Sequence, residues 1–288
     1  MKLLIINADD FGMAAGVTNA IVDCHNNGIV TSTTLMTNMP DAERAADLSR
    51  PLKALGVGVH LNLTEGRPLT DSALLPDLVD ESGEFFPHKI QTMKLWRGQE
   101  VRKQVLIEYR AQIKRALDLG IEPTHCDSHH GTHRLPVARS ALIEAVELLP
   151  VPRVRFQLGY DWLPRYPTLG QRIRWRSDRT RNLHRVLAHR LNRFLYRRAG
   201  IRTNDRKLDF RRLIGAPDDP RQAFLAALEA LPDGVTEFVF HPAYPDAAIR
   251  EKPSTTEIRR VDTLLATDDA IQRRIIELGI QLGSFADL

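Results

Sequence analysis

Apolar and polar residues alternate along this chain in blocks that suit strands and helices in turn. The first block is a continuous apolar run at residues 3–8, which is typical of a strand buried on both faces. Helical spacing follows at 14–27, and β-branched residues at 30–37 predict a second strand. Further strands are predicted at 57–64, at 123–133 (a short strand opening into a loop), at 154–157, 236–241 and 280–285. Further helices are predicted at 40–50, 99–120, 138–149 and 219–232, with one or two more at 254–279.

Repeated strand–helix alternation predicts an α/β fold in which parallel strands are covered by helices. The first strand is not followed by a Gly-x-Gly-x-x-Gly turn, and the sequence has no P-loop. Nucleotide-binding α/β folds are therefore less favoured. The length of 288 residues fits a TIM-like barrel of seven or eight strands. We therefore expect a single domain over residues 1–288, with a loop-rich stretch at 65–98.

The net charge of +4 conceals an uneven distribution of charge. Residues 164–212 carry fifteen arginines and one lysine against three aspartates, about +13, and the rest of the chain is mildly acidic. We call residues 164–212 the basic segment and expect it to be a helical insertion in the domain. Such an uneven charge distribution indicates what the protein binds rather than how it folds.

Part of the basic segment, RNLHRVLAHRLNRFLYRRAG, is amphipathic. Its apolar residues share one helical face: Leu183, Val186, Leu187, Leu191, Phe194 and Leu195. One interpretation is that this face packs on the barrel and leaves the arginines in water. The other is that the segment contacts an anionic membrane surface or a lipid-linked substrate. Nucleic acid is not expected as a partner, because no recognition motif is present.

Hydropathy and cysteine content bear on the cellular compartment of the protein. No run of about 18 apolar residues exists, so no membrane-spanning helix is predicted. The apolar stretch near the N-terminus is too short for a secretory signal peptide. Two cysteines, Cys24 and Cys126, are too few for a disulfide framework. We expect a cytoplasmic protein, peripheral at the inner membrane face if the basic segment binds lipid. Homo-oligomer formation is left open.

Ionisable residues collect at the predicted C-terminal ends of the strands. Asp9 and Asp10 end the first strand, and His60 lies in the third. His241 ends the late strand, and the fourth adds His125, Asp127, His129, His130 and His133. Sites of parallel α/β folds are built at these strand ends. Imidazoles and a carboxylate suit a divalent first-row ion that keeps a water, so we predict a metal site there.

Two adjacent carboxylates can divide the work at such a site. One would hold the metal, and the other would take a proton from a water on the metal, which would then attack a carbonyl. Successive strand side chains point in opposite directions, so both acids can serve only where the strand breaks, which we expect at Phe11-Gly12. Alone, an Asp-Asp pair is more often a helix cap, and a strand histidine such as His60 is more often a core residue. Cys126 is expected to be a small buried hydrophobe.

Five motifs resemble, in order, those of the YdjC-like carbohydrate deacetylases, a family that includes chitooligosaccharide and hopanoid-biosynthesis deacetylases. The motifs are NADDFG, GIVTSTTLM, GVGVHLNLTEGRP, PTHCDSHHGTH and FHPAY, and they span nearly the whole chain. The resemblance implies a distorted (β/α) barrel that removes the acetyl group from an N-acetylated amino sugar. It also implies one divalent metal ion, Mg²⁺ in the family, while Zn²⁺ or another first-row ion stays open.

The resemblance also implies residue roles. The metal ligands would be Asp10, His60 and His129. Asp9 would be the general base and His241 the general acid. Beside this assignment, we expect Asp127 and His133 to orient ligands or to contact sugar hydroxyls in the substrate.

Two positions depart from the family pattern. Gly131 stands where many relatives have a third consecutive histidine, and Arg260 stands where a family glutamate is expected. These departures bear on the substrate, an acetylated oligosaccharide or a lipid-linked amino sugar, more than on the reaction. Two rival functions stay open: another metal-dependent hydrolase such as a phosphoesterase, and a non-catalytic sugar- or lipid-binding protein.

Overall fold

The structure, a computed structural model, describes residues 1–96, 98–157, 162–246 and 253–288, without the side chains of residues 253–255. Its regular strands are β1 (Lys2–Phe11), β2 (Ser32–Leu35), β3 (Gly56–Leu61), β4 (Cys126–Ser128), β5 (Arg206–Leu208), β6 (Gly234–Phe240) and β7 (Gln281–Gly283). They pair in parallel in the order β4-β3-β2-β1-β6-β5, and β7 pairs with β1 as well.

Helices surround this curled half-barrel. They are α1 (Ala15–Asn26), α2 (Ala42–Ser49), α3 (His88–Lys94), α4 (Gln99–Asp118), α5 (Pro136–Ala145), α6 (Leu169–Arg181), α7 (Leu183–Arg198), α8 (Pro220–Glu229), α9 (Pro253–Ala266) and α10 (Asp269–Glu277). The expected distorted TIM-like (β/α) barrel is confirmed, and the 254–279 pattern forms two helices. Two elements were not predicted: α3, in the loop-rich stretch 65–98 (of which residue 97 lies outside the described residues), and β5, in the basic segment.

β1 lies at the centre of the sheet. It pairs with β6 along Lys2 to Ala8 on one edge, and with β7 and then β2 on the other. Leu4, Ile5 and Ile6 have no exposed surface, which explains why this strand is continuously apolar instead of alternating. The strand directs whatever follows Ala8 to the C-terminal edge of the barrel.

The predicted strand at 154–157 is wrong as a regular strand. Val154 makes a single parallel bridge to β4, and Arg153 makes one to a residue that precedes β5. Beyond them, the backbone N–H of Phe156 donates to Asn204 Oδ1 at 2.6 Å, and Asn204 Nδ2 donates back to the carbonyl of Phe156. A side-chain amide therefore takes the place of a neighbouring strand on this side of the barrel.

Most of the apolar face of α7 does not pack on the barrel, so that interpretation holds only for Val186, which is buried, and in part for Leu195. The buried residues of α7 are Val186, Asn192 and Tyr196. Asn192 Oδ1 accepts a hydrogen bond from Arg139, and the Tyr196 hydroxyl donates to the carbonyl of His133. These contacts turn a mixed face inward, and they leave Leu183, Leu187, Leu191 and Phe194 exposed. Among the described residues, no helix is long and apolar enough to span a bilayer.

Gly12 follows the end of β1 in a left-handed conformation, with φ +83°. A Cβ there would lie 3.0 Å from Ala42 Cα and 3.0 Å from Leu35 Cδ1. We expect Gly12→Ala to lower the free energy of unfolding by about 1–3 kcal/mol more than Gly120→Ala, measured by urea denaturation. Gly120 is a matched control because it has φ +78° with nothing within 4 Å of its added Cβ. Equal losses in both variants would contradict the packing argument.

Candidate functional site

A bulge at the end of β1 turns two neighbouring carboxylates toward one cleft. The pairing register with β2 shifts between Ala8 and Phe11, and Asp10 adopts a left-handed conformation with φ +73°. Asp9 and Asp10 consequently line the same cleft of about 490 Å³. The strand ends at Phe11-Gly12 as expected, and the bulge at Asp10 lies just before that end. A non-glycine residue with positive φ is a strained conformation that is often found at functional sites.

Asp10 Oδ1 faces two histidines from the next strands. His129 Nδ1 lies 3.0 Å from this oxygen, and His60 Nε2 lies 3.4 Å from it. All three residues are buried. Their ligand atoms lie within 4.8 Å of one another, which is close enough to share a metal ion. A roomier depression of about 860 Å³ lies over residues 72–86, but no histidine lines it among the described residues.

The outer nitrogens of both rings face carboxylates. His60 Nδ1 donates to Asp127 Oδ1 at 2.6 Å, and His129 Nε2 lies 3.5 Å from Glu65 Oε2. When the outer nitrogens carry the ring protons, both rings turn lone pairs toward Asp10 Oδ1, an oxygen without a hydrogen-bond partner among the described residues. Three acceptors that converge on one point repel one another unless a cation lies between them. The residues present therefore fit a divalent metal ion.

The pKa values of His60 and Asp10 indicate that this site favours a bound positive charge. Burial alone would lower the pKa of His60, but Asp127 and Asp10 raise it to about 10. Burial would raise the pKa of Asp10, yet His129 and His60 hold it well below its ordinary value. The carboxylates thus favour a proton on His60 when no other cation is bound, and a divalent metal ion competes with that proton.

Arg155 lies beneath the cleft, and the sequence analysis missed it. Its guanidinium donates two hydrogen bonds to Asp9, at 2.6 and 2.9 Å, and one to Glu237 Oε1 at 2.7 Å. It also pairs with Asp127, and it is only 1% exposed. Burial would raise the pKa of Asp9, but Arg155 and His60 keep it far below its ordinary range. Asp9 is therefore held as a carboxylate.

Two further cations of the cleft wall were also missed. Arg259 of α9 donates to the second oxygen of Asp10, Oδ2, at 2.6 Å. Lys207 of β5 lines the cleft as well. A signal was present for Glu237, a charged residue inside the apolar strand-like run 235–240, and a weaker one for Arg155, which lies between Val154 and Phe156. Lys207 gave no such signal, because its neighbours in sequence are mostly charged. Arg260, in contrast, points outward and pairs with Glu257 of its own helix.

His241 lies at the cleft mouth, just after β6. Its side chain is 42% exposed, and its Nε2 lies 3.8 Å from Asp9 Oδ2. The backbone N–H of His241 donates to Asp262 Oδ2 at 2.9 Å, which anchors the residue to α9. Asp9 and His241 therefore flank the same part of the cleft, where an acid and a base could act on one substrate.

The other histidines of the fourth strand are spread differently. His133 is buried, and its Nδ1 lies 2.6 Å from Ser128 Oγ. Asp127 is buried as well, and neither His133 nor Asp127 lines the cleft. Their expected contact with sugar hydroxyls stays a prediction, and the hydrogen bond of Asp127 to His60 fits the alternative role of orienting a ligand. His125 stacks on Phe285 in the core with ring centroids 3.7 Å apart, and burial lowers its pKa to about 3. Gly131 forms part of the cleft lining.

Comparison with known proteins adds a family match. Residues 3–277 match the family described as YdjC-like protein. A carbohydrate deacetylase of Thermoanaerobacter pseudethanolicus is 30% identical over 291 residues, covering 100% of both chains. A carbohydrate deacetylase of Geobacillus stearothermophilus is 32% identical over 287 residues, covering 99% of this chain and 98% of the relative.

A solved crystal structure is also similar to this chain. It is an Enterococcus faecalis V583 protein, named as a candidate cellobiose-phosphate cleavage protein. The TM-score is 0.78 at 26% sequence identity, and the match covers 99% of this chain and 98% of that one. The similarity extends over the whole barrel, including the elements that position the cleft residues.

We expect Arg155→Met to lower the free energy of unfolding by about 3–5 kcal/mol, because three buried carboxylates lose their shared counter-charge. Urea denaturation at neutral pH measures the loss. Arg153→Met is the matched control: Arg153 is partly exposed and donates to backbone carbonyls at the C-terminus, so about 1 kcal/mol or less is expected. Similar losses in both variants would mean that the ion cluster is not tightly buried.

Proposed function

This chain belongs to the YdjC-like protein family, and from that premise we propose that it is a metal-dependent carbohydrate deacetylase. The reaction is hydrolysis of the amide bond of an N-acetylated amino sugar, which yields acetate and a free amine. One observation supports the proposal most: Asp10 Oδ1, His60 Nε2 and His129 Nδ1 converge at the edge of a cleft that also holds a carboxylate and a histidine.

Asp10, His60 and His129 would hold one divalent ion. When bound, such an ion polarises a carbonyl and lowers the pKa of water, which is the chemistry that amide hydrolysis needs. Two imidazole nitrogens and one carboxylate favour Zn²⁺ or another first-row ion over Mg²⁺, which prefers oxygen ligands. The family resemblance implies Mg²⁺, so the ligand set and the resemblance disagree on the metal.

Asp9 is proposed as the general base. Arg155 keeps it ionised, and Asn7 Nδ2 donates to its Oδ1 at 2.9 Å, so its orientation is fixed. A carboxylate held this way can accept the proton of the attacking water at Oδ2, the oxygen that faces His241. The strong ion pair lowers its basicity, so the water must itself be made acidic.

His241 is proposed as the general acid. From the cleft mouth its Nε2 can give a proton to the amine nitrogen as the bond to the acetyl carbon breaks. Asp127 is proposed to orient His60 through the 2.6 Å hydrogen bond to Nδ1. His133 is proposed to stabilise the turn at residues 129–134, which carries His129, through its contact with Ser128 Oγ. The substrate contacts then come from the residues that line the cleft.

We expect the purified protein to bind about one divalent ion per chain. His60→Ala and His129→Ala should each weaken the metal affinity on the order of 10- to 100-fold or more, since a lost ligand hurts at least as much as a lost orienting group. Elemental analysis after equilibration with Zn²⁺ or Mg²⁺ buffers measures the content and shows which ion is preferred. His184→Ala, on the exposed surface of α7, is the control. Unchanged metal content in both variants would exclude this ligand assignment.

We expect Asp9→Asn and His241→Ala to keep the metal and to lose roughly 10²- to 10⁴-fold in rate of acetate release. The substrates are N-acetylated glucosamine monomers, oligomers and lipid-linked forms, with Arg260→Ala as a control for an exposed residue. If Asp9→Asn loses the metal while Asp10→Asn retains it, the two roles are exchanged. Phosphate release from an aryl phosphate, without acetate release from any sugar, would favour the phosphoesterase instead.

A further inference from the structure

The basic segment presents an apolar stripe to solvent. Leu183, Leu187, Leu191 and Phe194 of α7 are each between 51% and 58% exposed. Their spacing of four, four and three residues places them on one helical face, opposite to the buried face of α7. We call these four residues the exposed stripe. Apolar side chains in a contiguous row mark a binding surface more often than scattered ones do.

Helix α6, which precedes α7, also exposes apolar side chains to solvent. None of the residues of α6 is buried, and Leu169 and Ile173 are 75% and 60% exposed. A helix of thirteen residues is marginal in water by itself, because most helix stability comes from packing of an apolar face. Within the part of the chain that the structure describes, no residue covers this face. A binding partner would supply the burial that the barrel does not.

The charge around the exposed stripe is strongly positive. Residues 169–198 hold ten arginines and one aspartate. Arg190, Arg197 and Arg198 are exposed beside the stripe, and no acidic side chain among the described residues pairs with them. Such arginines favour a partner that is apolar at its centre and negatively charged at its surface.

We propose that α6 and α7 dock the protein on an anionic phospholipid membrane. The exposed stripe enters the boundary between headgroups and acyl chains, and the arginines contact the phosphates. A second copy of the chain fits worse, because a two-fold contact would bring two arginine-rich helices of the same sign together. Nucleic acid would engage the arginines but would leave the leucines without an apolar partner.

The docking surface lies beside the cleft. On the inner side of α7, His189 lines a pocket that shares Arg134, Gln157 and Lys207 with the cleft. The exposed stripe is therefore about one helix diameter, roughly 10 Å, from that pocket. A docked chain would hold the cleft near the headgroups, which suits an amino sugar carried on a lipid. This last consequence rests on the proposed function, whereas the docking itself does not.

Sedimentation of the full chain with vesicles tests the docking. We expect binding to phosphatidylcholine vesicles that contain phosphatidylglycerol, little binding to phosphatidylcholine alone, and weaker binding at high salt. Leu187→Ser/Leu191→Ser should lower partitioning roughly tenfold or more. Arg190→Gln/Arg197→Gln should lower it about fivefold per arginine. Ile276→Ser/Arg273→Gln, an exposed apolar and basic pair on α10, is the matched control and should bind as the parent does.

Several results would overturn the docking proposal. These are no binding to either vesicle, equal binding to both, or unchanged binding in the variants of α7. A dimer in sedimentation velocity that Leu187→Ser/Leu191→Ser dissociates would make the stripe a contact between copies instead. Urea unfolding midpoints equal to the parent's show that the variants fold. Acetate release from a soluble acetylated sugar without vesicles should stay unchanged in them, so failed docking and a failed deacetylase assignment are separated.

Discussion

One buried guanidinium, that of Arg155, holds the floor of the cleft together. It pairs with carboxylates from three strands: Asp9 of β1, Asp127 of β4 and Glu237 of β6. Burial raises the pKa of Glu237 to about 7, although the charges of Arg155 and Lys207 lower it. Buried ion pairs seldom stabilise a fold more than apolar packing of the same volume would. The cluster is better explained by the positions it fixes: Asp9 toward the cleft, and Asp127 against His60.

Much of this arrangement could be predicted from the sequence, because local periodicity and strand-end position are local properties. The apolar run before Asp9 indicated a central buried strand, and the parallel alternation brought Asp10 and His60 to one edge. The contact of Arg155 with Asp9 spans 146 residues, and that of Arg259 with Asp10 spans 249. No short window of sequence can show such pairs. For Arg155 the sequence offered only the oddity of a charge between two apolar residues, Val154 and Phe156, and for Arg259 it offered no signal.

In the basic segment, too, the sequence showed which residues share a helical face but not where that face would lie in the fold. Helical spacing correctly grouped the leucines of α7 on one face, but it could not show whether that face would meet the barrel. In the structure, the inward face of α7 makes three polar contacts, through Asn192 and Tyr196 and their partners Arg134, Arg139 and His133. Buried polar groups need hydrogen-bond partners, and Asn192 and Tyr196 find theirs on the inner side of α7. An amphipathic pattern therefore indicates that a face binds something, without indicating what it binds.

The two oxygens of Asp10 have different partners, and this difference bears on whether the proposed metal site is catalytic or structural. Oδ2 is occupied by Arg259, so only Oδ1 faces His60 and His129. The described residues then offer three ligand atoms, one fewer than a closed tetrahedral zinc site requires. A site that served only to stabilise the fold would complete its ligand set with a fourth side chain. An ion held by Asp10, His60 and His129 would face the cleft that Asp9 and His241 line. There it would polarise an acetamide carbonyl and lower the pKa of a water, which is the chemistry that the proposed hydrolysis needs.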